Sequence, residues 1–198
     1  MDRSFIDRKR GIFGPGVFVA CLLVVLSTFS ATHSFSAMAD QIEANVNASV
    51  DRFYREVNGA KEFAQVAKGM LVLPGVFKAG FGFGGEYGEG ALRINGKTVD
   101  YYTITAGSVG FQIGAQKKDI IIAFMTEEAL NQFRKSAGWE AGVDANIAFV
   151  DMGGGKGLDT ITTNYPVVAF VFGVKGLMAD ASLKGAKFTK LIRQIIKD

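Results

Sequence analysis

Apolar residues recur at helical spacing over Asp40 to Val57. Ile42, Val46, Val50, Phe53 and Val57 lie four, four, three and four positions apart, which predicts an amphipathic helix. Asn58-Gly59 predicts its end. A second short helix is expected over Ala60 to Lys68. Gly69 separates it from Met70-Leu71-Val72-Leu73, and Pro74-Gly75 predicts a turn. From Val76 the period becomes two. Alternation puts Phe77, Ala79, Phe81 and Phe83 on one face. The glycines between them fall on the other face, where they admit another backbone closely.

Ala91-Leu92-Arg93-Ile94 and Thr98 to Ile104 flank Asn95-Gly96, a strong hairpin signal. Ser108 to Ala115 predicts a further strand, and Asp119 to Met125 a buried one. Thr126 then caps a helix with Glu127 and Glu128 in its first turn and Leu130 and Phe133 as its apolar positions. Gly138-Trp139 ends it, with Trp139 and Phe133 expected in the core. Val143 to Met152, Val167 to Phe172 and Gly176 to Leu183 complete the strands. In the tail, Phe188, Leu191, Ile192, Ile195 and Ile196 are interspersed with Lys187, Lys190, Arg193 and Lys197. That pattern predicts a terminal helix over Ala186 to Lys197, either docked on the sheet or lying on a membrane surface. The fold class is α+β: N-terminal amphipathic helices and a central helix packed on curved antiparallel β-sheets.

The N-terminus has a different logic. Arg8-Lys9-Arg10 is a positive region, Val17 to Leu26 an apolar run, and Ser36-Ala37-Met38-Ala39 supplies small residues before a cut after Ala39. The expected organisation is a signal peptide over 1–39 and one domain over 40–198, working in the periplasm. Two readings compete. An uncleaved anchor wants about 20 apolar residues, and Ser27, Thr28, Ser30 and Thr32 interrupt the run. Lipidation at Cys21 would leave Leu22 to Leu26 as an apolar stub.

Removal of 1–39 changes the available chemistry. The formal charge falls from +3 to +1, which argues against bulk nucleic-acid binding. Cys21 and His33 are the sole residues of their kinds, and both leave. A Ser-His-Asp or Cys-His site and a Cys/His zinc site are then excluded. No disulfide is possible, so packing must supply the stability. The expectation is a non-enzyme with no catalytic residue, no metal and no cofactor.

The motifs agree. Gly80-Phe81-Gly82-Phe83-Gly84-Gly85 matches G-x-G-x-x-G with Asp100 downstream, but no helix start follows it. Gly153-Gly154-Gly155-Lys156-Gly157 lacks the phosphate-loop spacing. Glu86, Glu89, Asp100, Glu140, Asp144, Asp151 and Asp159 form no calcium-loop pattern, and surface or turn roles are expected for them. Arg52, Arg55, Lys61, Lys68 and Lys78 cluster around the first helices and strand and are the candidate lipid-binding residues. Each base near an anionic surface contributes about 1 kcal/mol, though Glu43, Asp51, Glu56 and Glu62 dilute the patch.

Five blocks, in order, resemble the SYLF lipid-binding domain. They are Leu71 to Gly85 (LVLPGVFKAGFGFGG), Ser108 to Gln116 (SVGFQIGAQ), Phe124 to Phe133, Gly138 to Ala145 (GWEAGVDA) and Phe172 to Leu177 (FGVKGL). The resemblance spans Ala60 to Leu183. It implies membrane-lipid binding and supplies no catalytic residues. Eukaryotic members bind phosphoinositides, and some bind actin. The export signal makes those partners transfer poorly and implies a bacterial envelope member. The expected function is binding of membrane phospholipid through anionic head groups, at the membrane periphery, without nucleic acid. The alternative is a structural or adaptor module for another envelope protein.

Overall fold

The computed structural model describes residues 38–151, 165–176, 183 and 185–191. It divides after Gln41 into an N-terminal unit, described at residues 38–41, and a second compact unit from Ile42 to Asp198. A helix, α1, covers residues 38–56. Then come α2 (Ala60–Val66), β1 (Gly69–Ile94), β2 (Lys97–Phe124), α3 (Glu127–Lys135), β3 (Trp139–Glu140), β4 (Ile147–Asp151), β5 (Val167–Gly176) and β6 (Lys187–Lys190). The class is α+β.

β2 is the central strand. β1 pairs with it antiparallel along almost its whole length, from Gly69 opposite Phe124 to Ile94 opposite Lys97. On its other side β5 and then β4 continue from the C-terminal half, and β6 and then β3 from the N-terminal half. β4 and β5 run parallel. The expected antiparallel sheets are therefore corrected to one mixed, curled sheet. The tight turn joining β1 and β2 is Asn95-Gly96, with φ 52° and 76°. Those values suit the hairpin turn that follows strand twist, and Gly adopts them without a Cβ penalty.

The ribbon of β1 and β2 is bent double. A Cβ on Gly90 would lie 1.9 Å from the Val72 carbonyl oxygen, one on Gly88 2.7 Å from the Val76 side chain, and one on Gly80 2.8 Å from Gly84 Cα. The two halves of β1 thus face each other, and the glycine face admits the backbone of its own strand.

The curl holds one core. Leu71, Leu73, Ile104 and Ile122 of the ribbon belong to it, with Val167, Ala169 and Val171 from β5 and Leu130 and Phe133 from α3. Tyr102, Phe124, Phe133, Trp139 and Phe188 stack edge-on or tilted within it, and Phe133 meets Trp139 at 5.4 Å. A second cluster lies on the outer face, where Ile42, Val46, Phe53 and Phe63 pack on strand residues such as Ile121 and Phe170. Burial of each large apolar side chain contributes about 1.5–3 kcal/mol.

Several local expectations hold and others change. Thr126 caps α3, its hydroxyl accepting from the Ala129 N–H at 3.2 Å. Pro74-Gly75 is no turn but a bulge inside β1, where the register slips between Leu73 and Val76. The three strands expected between Thr98 and Met125 are one continuous β2. The tail helix is corrected at Lys187–Lys190, which form β6 between β2 and β3. Phe188 is buried there because alternation, not helical spacing, turns it inward. Residues 192–198, most of the expected strand Gly176 to Leu183, and the Gly153 to Gly157 loop lie outside the described residues.

Candidate functional site

The bulge at Pro74-Gly75 organises the outer face. Asp119 is 3% exposed and accepts three hydrogen bonds: from Gly75 N–H at 2.8 Å, from Ser49 Oγ at 3.0 Å, and from the Arg52 guanidinium. A helix, a bulged strand and the central strand therefore meet on one carboxylate. Gly75 has φ +60°, and a Cβ there would strike the Lys117 side chain. The missing side chain leaves room for Lys117 to lie across the bulge.

A pocket of about 180 Å³ opens at this place, lined by Arg52, Gly75, Lys117, Asp119, Gly173 and Lys175 among others. Lys117 and Lys175 are direct cross-strand partners on β2 and β5, and both are exposed. Like charges directly opposite each other on a sheet repel. Asp119 is the one acid of the pocket lining, and its oxygens are engaged by Ser49, Arg52 and Gly75. The arrangement suits an anion.

Phe77 is the β1 partner of Lys117. A row of Phe77, Lys117 and Lys175 thus crosses three strands on the outer face. Along β1, Phe77, Phe81, Phe83 and Tyr87 are exposed by 52%, 79%, 77% and 52%. The shared face expected for Phe77, Ala79, Phe81 and Phe83 is the outer one, beyond the part that α1 and α2 cover.

The five bases nominated from sequence separate in space. Arg52 lines the pocket, paired with Asp119. Arg55, Lys61 and Lys68 are exposed on or beside α1 and α2. Lys78 is 5% exposed on the inner face, opposite Gln116. Proximity along the chain does not reveal Lys117 and Lys175. Their signal is parity: counted at period two from Asp119, Lys117 belongs on the outer face with the exposed aromatics.

The carboxylates hold structural places. Glu86 pairs with the fully buried Lys118 at 3.2 Å inside the curl. Asp100 pairs with Lys190 at 2.7 Å and Arg134 at 3.5 Å, and Asp144 accepts from the Glu140 N–H. Glu43 accepts from Arg93 and from the Tyr101 hydroxyl. Its pKa is lowered: burial pushes it up, but hydrogen bonds from Thr98, Tyr101 and Arg93 outweigh that. The Tyr102 phenol is pushed up to about 12 by burial and then by the charge of Asp100. Among the described residues no cluster of three or more His, Cys, Asp or Glu is placed to hold a metal ion. Among them, too, no helix is long and apolar enough to cross a membrane.

Residues 105–191 match the family model of Ysc84, described as Las17-binding protein actin regulator. No curated protein matches the chain. Four of the five SYLF-like blocks fall inside the matched segment, which runs from the middle of β2 through β6. The SYLF family is one of binding domains, associated with lipid and actin-regulator binding. Residues 105–191 are thus similar to the Ysc84 (SYLF) family, consistent with the resemblance that the sequence blocks carry.

Proposed function

We propose that this protein binds membranes reversibly through anionic phospholipid head groups, as a non-catalytic domain acting at the periplasmic face after loss of residues 1–39. The observation that carries the head-group reading is the Lys117–Lys175 pair beside Arg52. Two exposed like charges held side by side gain from an anion between them, and each base near an anionic surface contributes about 1 kcal/mol. The basic, apolar and small-residue regions of the N-terminus support the export part of the reading. Arg55, Lys61 and Lys68 remain candidate contacts as exposed bases.

The test is flotation with vesicles of phosphatidylglycerol and phosphatidylcholine. K117E/K175E should lower binding to the anionic vesicles by about tenfold or more, since it reverses two charges. Equal binding by the variant and the wild type would remove this pair from the site. Capture of an envelope protein by a chain that ignores vesicles would favour the adaptor alternative.

A further inference from the structure

We propose that the bend of the β1–β2 ribbon is a membrane-inserting ridge, with Phe81 and Phe83 entering the acyl boundary while Lys117 and Lys175 stay at head-group level. The proposal rests on the lipid-binding reading and adds the surface and its depth.

Phe81 and Phe83 have the greatest exposures among the large apolar side chains of the described residues. They stand where the ribbon turns back on itself, at the close approach of Gly80 to Gly84. Among the described residues, β2 has β1 as its partner around them, since β6 pairs at Tyr102–Thr105 and β5 from Gln116 onward. Among the described residues, the element that carries them is a narrow two-stranded ribbon. A stable protein interface needs about 800 Å² from each partner, which so narrow an edge supplies poorly. A bilayer needs apolar side chains at the tip and bases behind them.

Both are present in the right order. Phe77 opposes Lys117, which opposes Lys175. Phe81 lies four residues further along the same face, up to about 13 Å away at roughly 3.3 Å per residue. Interfacial elements bury their apolar face about 5–10 Å deep. The ridge is long enough to reach that depth with the lysines still among the head groups. Glu89, on the outer face of the other limb, accepts from the Tyr87 hydroxyl.

The test places an indole at the tip. F81W and F83W, made separately in the full chain, are mixed with vesicles of phosphatidylglycerol and phosphatidylcholine whose acyl chains are brominated. Trp139 is buried in the core and serves as the background. The added indole should shift to the blue, and its emission should fall by about half or more on the brominated vesicles. F81S/F83S should lower partitioning by about tenfold. Vesicle-bound protein whose added indole stays unshifted and unquenched would overturn the ridge and leave lipid binding standing. No vesicle binding by the wild type would overturn both.

Discussion

Asp119 joins the helix layer to the sheet, and its chemistry makes a direct prediction. Removing a buried carboxylate that serves three donors leaves the guanidinium, a hydroxyl and an N–H unsatisfied. D119A should cost about 2 kcal/mol, read by urea unfolding, because the buried carboxylate serves three donors, though the partly exposed Arg52 can turn to water. A loss below about 1 kcal/mol would mean that water replaces the carboxylate. Glu43 gives a pH prediction. Its folded pKa is lowered, so its contribution is present above the unfolded value near 4.3 and is lost as pH falls through the folded value. The stability difference between wild type and E43Q should shrink on acidification below about pH 4.3. A difference constant with pH would contradict this.

At the scale of elements, the glycines of β1 differ in role. Gly90 abuts the Val72 backbone, whereas a Cβ on Gly85 would meet nothing within 4 Å. G90A should therefore destabilise by about 2 kcal/mol or more and G85A by under about 1 kcal/mol, in parallel thermal melts. Equal effects would mean that the halves of β1 do not meet. Much at this scale is legible in the sequence. The first helix, the Asn95-Gly96 hairpin, the Thr126 cap and the two faces of the Gly-rich strand all follow from local spacing. Pro74-Gly75 misleads because its bulge is completed by Asp119, far along the chain. β6 misleads because Phe188 reads as the first of five apolar residues near helical spacing, whereas strand pairing buries it against Trp139. The parallel pairing of β4 with β5 has no local mark at all.

For the whole molecule, the site is less legible than the fold. Sequence proximity groups Arg52, Arg55, Lys61, Lys68 and Lys78. The fold places Arg52 at the pocket in a pair with Asp119, turns Lys78 inward, and brings Lys117 and Lys175 from two strands to the same pocket. Among the described residues, the outer face beyond the helix layer is exposed where the aromatics and the lysine row adjoin. The family match over residues 105–191 includes both lysines.

The most direct measurement is flotation of the wild-type chain and K117E/K175E with vesicles of increasing phosphatidylglycerol content, at low and high salt. The account predicts wild-type binding that rises with anionic lipid, weakens as salt screens the charges, and exceeds that of the variant. Binding that ignores lipid charge and salt, or that is the same for both proteins, would contradict it.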